Sequence, residues 1–256
     1  MTLRNIKLVV EYDGTLFHGW QVQKDLRTVQ GALQDALAII LRERVSVRGS
    51  GRTDAGVHAW AQVANLHTTS DLPADRIRRG INAIVGPGVV VLTAEEVDHG
   101  FDSLGSACGK VYAYRLLLRK SPTALLAGRS WWLRHPIDLA LLERELATLP
   151  GYYDWNAYRA KDCTSPDPRK TLYSARIRPE THECVSLVFT GSGFLKQMIR
   201  ILVGTAVDVG RGKLPAGAMV QIRNGLDRSR AGPTAPPDGL FLERVLYTAP
   251  DVQTPL

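Results

Sequence analysis

The sequence is poor in the residues that mark several function classes. Its 256 residues include only three cysteines, Cys108, Cys163 and Cys184, with no two of them close together. An odd, scattered set argues against both a disulfide framework and a zinc knuckle. The six histidines form no HExxH and no HxH pair, and His58 and His67 stand too far apart for a local metal site. No apolar run approaches the ~20 residues that cross a bilayer. The few apolar residues between Lys7 and Glu11 are also too short for the core of a secretion signal. These absences fit a protein of the reducing cytoplasm, with no bound metal and no membrane segment.

What is present is ordinary in amount and unusual in sign. A hydrophobic fraction of 45% and a charged fraction of 22% suit a soluble globular chain. The length allows one large domain or two small ones. The formal net charge is +7 and the pI is near 9.5. That balance favours polyanions, nucleic acid being the commonest. A basic protein with no acidic partner satisfies the same composition.

Hydrophobic periodicity predicts a pattern and then a variant of it. Ile6 to Tyr12 reads as a strand ending at the Asp13-Gly14 turn. Val29, Leu33, Ala36, Leu37 and Ile40 paint one face of a helix that Thr28 can cap. Val45 to Val47 reads as a short strand and His58 to His67 as a longer one. Ile77, Ile81, Ile84 and Val85 mark a helix stopped by Gly86-Pro87, and Val89 to Thr93 closes the unit. The order β-α-β-β-α-β is ferredoxin-like. The second half repeats it: strand 111–118, helix 139–149, strands 171–177 and 184–189, helices 194–209 and 216–224, and strand 240–246. Residues 155–170 read as a loop insertion. The expectation is therefore an α+β protein of two ferredoxin-like (RRM-like) halves. These would be residues 1–105 and 106–248, with largely antiparallel sheets around a central cleft and a frayed tail at 249–256.

Three segments could carry chemistry. The stretch Gly49 to His58 places Asp54 among Gly49, Gly51 and Gly56, where a carboxylate can be fixed by the backbone. A plain turn whose aspartate caps local N–H groups fits equally well. In the helix after Gly193, Lys196, Arg200 and Gly204 form one stripe at i, i+4 and i+8. An arginine amid that much apolar surface needs a partner or a route to solvent. A helical glycine, which gives up about 1 kcal/mol against alanine, makes sense where another group packs close. In Lys110-Val111-Tyr112-Ala113-Tyr114, alternation puts both tyrosines on one strand face. There they either stack on bases or serve as core.

Taken together, these segments resemble the bacterial tRNA pseudouridine synthase A family from about Ile6 to Tyr247. The strongest piece is Gly51-Arg52-Thr53-Asp54-Ala55-Gly56-Val57-His58. Glu11-Tyr12-Asp13-Gly14, Phe17 to Gln23, Thr28-Val29-Gln30, the Lys110 to Tyr114 strand, Phe194 to Gly204 and Asp238-Gly239-Leu240 follow in the family's order. The resemblance implies a cofactor-free isomerase that converts uridine to pseudouridine in the anticodon stem-loop, at tRNA positions 38 to 40. It also implies a homodimer with one tRNA touching both subunits. Asp54 matches the catalytic aspartate, Tyr112 the tyrosine that stacks on the target base, and Arg200 the arginine paired with the aspartate. Arg52 matches an RNA-contacting residue and Leu240 an apolar residue of the pocket. Lys110 and Lys196 join Arg52 as candidate RNA contacts, and Arg223, Arg228 and Arg230 are candidates for phosphates. Where the family continues His-Ala-Arg after Phe101, this chain has Asp102-Ser103-Leu104. The rival readings are a non-catalytic protein of two RRM-like halves and a metal-dependent nuclease or deaminase. The first would need fuller aromatic RNP motifs. The second would need clustered metal ligands.

Overall fold

The computed structural model describes residues 2–248; the tail expected to fray lies outside them. In chain order the elements are β1 (Arg4–Tyr12), α1 (Val29–Leu41), β2 (Arg48–Gly49), β3 (His58–Thr68), α2 (Ala74–Ile84), β4 (Val89–Val97), β5 (Gly109–Leu118), β6 (Trp131–Leu133), α3 (Leu139–Ala147), β7 (Gly151–Asp154), β8 (Arg169–Thr181), β9 (Cys184–Gly191), α4 (Met198–Gly210), α5 (Ala218–Gly225) and β10 (Leu240–Leu246). The protein is an α+β chain with a mostly antiparallel sheet. The described residues divide into two compact units. One comprises those up to Cys108 and from Phe241 onward, and the other is Gly109–Leu240.

In the first unit β1 lies between β4 and β3, antiparallel to both. β2 pairs with β3 at Arg48 and Asn65, and β10 runs parallel to the start of β3, Phe241 opposite His58. The period-two alternation of β1 buries Ile6, Leu8, Val10 and Tyr12 on one face. Leu33 and Leu37 of α1 and Ile77 and Ile81 of α2 are fully buried, each side chain worth roughly 1.5–3 kcal/mol. Thr28 caps α1, its side chain accepting the Gly31 N–H.

In the second unit β5 and β8 flank β9, β7 extends the sheet beyond β8, and β6 runs parallel to the far edge of β5. All eight residues of β9 are buried. So are eleven of the thirteen in α4, as a helix apolar on every side requires.

Three sequence expectations are corrected. The short strand is Arg48–Gly49, not Val45 to Val47, because Val47 bonds to α1 instead of to a strand. Its carbonyl accepts from Gln30 Nε2 at 2.7 Å and its N–H donates to Gln34 Oε1 at 3.3 Å. The helix expected from Phe194 begins at Met198, because Gln197 sits at φ +59°, outside the helical well. Lys196 therefore precedes the helix and shares no stripe with Arg200. Strand β10, expected to close the second half, pairs with β3 of the first unit. The expected loop at 155–170 is present up to Pro168, broken only by a short turn at Asn156–Tyr158, and its start is packed inward. Trp155, Ala157 and Tyr158 are fully buried, and the indole N–H donates to the Lys170 carbonyl at 2.9 Å.

Candidate active site

Asp54 sits half-buried between buried Thr53 and exposed Ala55. The loop around it is tied down on three sides. From β3, Gln62 accepts from the Ser50 hydroxyl at 2.6 Å and donates to the Gly51 carbonyl at 3.0 Å. From β1, the Tyr12 hydroxyl shares a 2.8 Å hydrogen bond with the Thr53 hydroxyl. Burial pushes the Tyr12 phenol well above its ordinary range, so this partner is a neutral hydroxyl at any physiological pH. From the segment before α1, the Trp20 N–H donates to the Thr53 carbonyl at 3.1 Å and the Phe17 carbonyl accepts from Gly56 N–H. That approach demands Gly19, which has φ +88° and where a Cβ would stand 2.6 Å from the Thr53 oxygen. The loop closes on itself through Val57 N–H to Asp54 carbonyl, 3.2 Å.

His58 follows the loop into β3. Its Nδ1 accepts the Gly14 N–H at 3.2 Å and lies 3.4 Å from Asp13 Oδ1. The first contact requires an unprotonated Nδ1. Asp13 Oδ1 meanwhile accepts from the N–H and hydroxyl of Thr15.

In the second unit, β5 carries Tyr112 and Tyr114. Tyr114 is fully buried, with its hydroxyl donating to the Pro236 carbonyl at 2.7 Å, the core role left open for one of the pair. Tyr112 meets Phe194 edge-on at 5.3 Å. Arg200 on α4 is half-buried, and its Nε donates to the Ala235 carbonyl at 2.8 Å. The segment 232–236 also donates Ala235 N–H to the Arg200 carbonyl and Gly232 N–H to the Thr205 hydroxyl. The Pro233 carbonyl lies against Gly204, the close neighbour that a helical glycine suggested.

The comparisons with known proteins agree with one another. A family model described as tRNA pseudouridine synthase matches residues 8–102 and 146–248. The chain is 38% identical over 245 residues to tRNA pseudouridine synthase A of Acetivibrio thermocellus, covering 96% of this chain and 100% of the relative. To tRNA pseudouridine synthase A of Myxococcus xanthus it is 39% identical over 251 residues, 98% and 95% of the two chains. To that of Geotalea daltonii it is 37% identical over 245 residues, 96% and 100%. The chain belongs to the tRNA pseudouridine synthase A family. It is thus an isomerase by family. Asp54, Arg52, Lys196, Arg200 and Leu240 of the synthase lie within the matched stretches, while Lys110 and Tyr112 fall between them.

The candidate RNA contacts are placed very differently. Arg52 is exposed. Lys110 is buried, which pulls its ammonium below the ordinary lysine range. Lys196 is exposed and bridges to Asp162 at 2.6 Å. Leu240 is buried where β10 begins. Arg223 is buried over the Tyr153 ring and donates to the Thr148 carbonyl, while Arg228 donates to the carbonyls of Ala231 and Gly232; both brace their own unit. Arg230 is exposed.

Sequence reasoning on single segments missed Tyr12, Trp20 and Gln62 as holders of the Asp54 loop. The signal for Tyr12 and Trp20 was the joint recurrence of Glu11 to Gly14 and Phe17 to Gln23, which the fold sets against that loop; Gln62 lay outside every such segment. Removing one holder tests this. Tyr12→Phe is expected to lower stability by about 1–2 kcal/mol, since it deprives the buried Thr53 hydroxyl of a partner. It should also lower kcat several-fold with KM nearly unchanged. Steady-state kinetics and thermal melts of the synthase check both, and an unchanged kcat would show that this bond does not position the loop.

Proposed function

We propose that the synthase isomerises uridine to pseudouridine in the anticodon stem-loop of tRNA, at positions 38 to 40, with Asp54 as its catalytic carboxylate. The single observation that carries the reading is the loop itself. Asp54 is a part-exposed acid on a backbone that its neighbours hold by hydrogen bonds from three directions. Such preorganisation is what a reacting group needs and what a simple turn does without.

The reaction breaks the C1′–N1 bond, turns the uracil and forms a C1′–C5 bond; C5 loses a proton and N1 gains one. Atoms and electrons balance within the nucleotide, so neither a redox cofactor nor an activating metal is required. A carboxylate serves as nucleophile toward C1′ or the uracil ring, or as base toward C2′. The target base must first leave its stack, which costs on the order of a few kcal/mol. Tyr112 stacking on the base and the exposed Arg52 offset that cost in this reading, Arg200 is the aspartate's partner, and Leu240 lines the base pocket. The two units are ferredoxin-like halves, a reading supported in the first by the strand order β4-β1-β3 with β2 on β3. The enzyme works as a homodimer in the cytoplasm. No helix among the described residues is long and apolar enough to cross a membrane.

The test is to incubate the purified protein with unmodified tRNA transcripts and map pseudouridine. The product is expected at positions 38 to 40, to the same extent with EDTA as without. Product elsewhere would refute the site assignment, loss with EDTA would refute the metal-free chemistry, and no product at all would refute the function.

A further inference from the structure

The start of β3 holds an aromatic arrangement that the catalytic reading leaves unused. Phe241 stacks on both His58 and Trp60, with ring centroids 4.5 Å and 5.8 Å away and planes within 15° of parallel in each case. His58 and Phe241 are buried, whereas Trp60 is 46% exposed. The exposure has a backbone cause. Val10 pairs with Gln62 and Tyr12 with Ala59, so two steps along β1 oppose three along β3. Trp60 and Ala61 occupy the resulting bulge, a device that re-aims side chains and recurs beside active sites. The bulge begins six residues after Asp54, on the strand that issues directly from its loop.

A tryptophan in this position leaves a large apolar surface in water while its inner neighbour is already covered. Any occupant must suit a flat aromatic edge of the unit next to the Asp54 loop, on a chain of net charge +7. Nucleobases fit, because each presents a π-face and stacking tolerates any sequence. A phosphate suits the ring face poorly, since the indole carries no charge and offers a single N–H at its edge.

We propose that Trp60 is the outer ring of a stacking platform that receives an unpaired nucleobase of the tRNA substrate. The inference rests on the tRNA-modifying function proposed above and adds a binding contact to it.

The experiment compares the parent enzyme with Trp60→Ala and Trp60→Phe, using an anticodon stem-loop transcript. Kd comes from fluorescence anisotropy over a salt series, and kcat and KM from pseudouridine formation. Loss of one base stack should raise Kd and KM for Trp60→Ala by about 5- to 150-fold. kcat should stay within about twofold, and the slope of affinity against salt should be that of the parent, because no phosphate contact is removed. Trp60→Phe, which keeps a ring in the stack, should recover most of the affinity. A parental Kd in Trp60→Ala overturns the proposal. So does a loss of affinity that Trp60→Phe fails to rescue, or one that accompanies a changed subunit mass by light scattering. If the parent itself forms no pseudouridine, the proposed function falls; if the parent is active and Trp60→Ala binds normally, only the platform falls.

Discussion

Replacing Asp54 with alanine is expected to reduce pseudouridine formation by about 10⁴-fold, the upper end of what a positioned acid–base group contributes, or to background. The argument turns on what the substitution leaves intact. The hydrogen bonds that shape the loop are made by Ser50, Thr53, Gly56 and Val57 and by the main chain of Asp54, not by its carboxylate alone. Asp54 is half-buried and has no glycine-only backbone angle. Its truncation is therefore expected to change stability by no more than about 1 kcal/mol, whereas the chemistry loses its only acid at the loop's centre. Affinity for tRNA should stay within a few-fold, because phosphate and stacking contacts dominate it. Tritium release from tRNA labelled at C5 of uridine measures turnover, and a filter-binding assay measures affinity. Release at even one-hundredth of the parent rate would remove Asp54 from the mechanism. Asp54→Asn, which keeps the shape and loses the charge, should be as inactive as alanine.

The sequence and the folded chain agree best where information is local. Alternation over Ile6 to Tyr12 and the 3.6-residue spacing from Val29 to Leu41 each depend on neighbours along the chain, and both elements form where the spacing puts them. Val47 could not be read this way, since its backbone is satisfied by two glutamines of α1. Nor could Gln197, whose left-handed conformation interrupts an apolar pattern that runs on unbroken through it. The partner of β10 is a matter of long-range pairing, which periodicity does not encode. At the site, the glycine-flanked Asp54 stood out by composition, but the bonds from Tyr12 and Gln62 connect residues 41 and 11 or 12 positions away. Departures from the family pattern were legible only as losses. Asp102-Ser103-Leu104 forfeits two basic residues, yet in the fold Asp102 bridges to Arg48 Nε at 2.9 Å and accepts from the N–H groups of Leu104 and Gly105. The buried Ser103 hydroxyl donates to the Arg48 carbonyl. The tripeptide has become a structural brace.

The second large effect is expected at Gly204, where two opposed terms can be compared. In an open helix, Gly→Ala gains roughly 1 kcal/mol from backbone entropy. Here a Cβ would stand 1.8 Å from the Pro233 carbonyl oxygen, far inside the 3.0 Å that real Cβ contacts respect. Neither side can yield cheaply. The 232–236 segment is held by Gly232 N–H to the Thr205 hydroxyl, by the reciprocal pair between Arg200 and Ala235, and by the Tyr114 hydroxyl on the Pro236 carbonyl. A shift large enough to clear the methyl breaks two or more of these, at about 1 kcal/mol net each, and opens the packing around α4 at a further 1–3 kcal/mol. The loss outweighs the gain, so Gly204→Ala should destabilise the enzyme by about 2–4 kcal/mol. That corresponds to a fall in Tm of roughly 5–15 °C for a chain of this size. Because the same shift moves the carbonyl that Arg200 Nε bonds, kcat should fall at temperatures where the variant is still fully folded. Thermal melts followed by circular dichroism, with kinetics well below the transition, separate the two effects. A variant that melts with or above the parent would mean that α4 and the Pro233 turn are not in close contact, and Arg200 would lose the support that orients it.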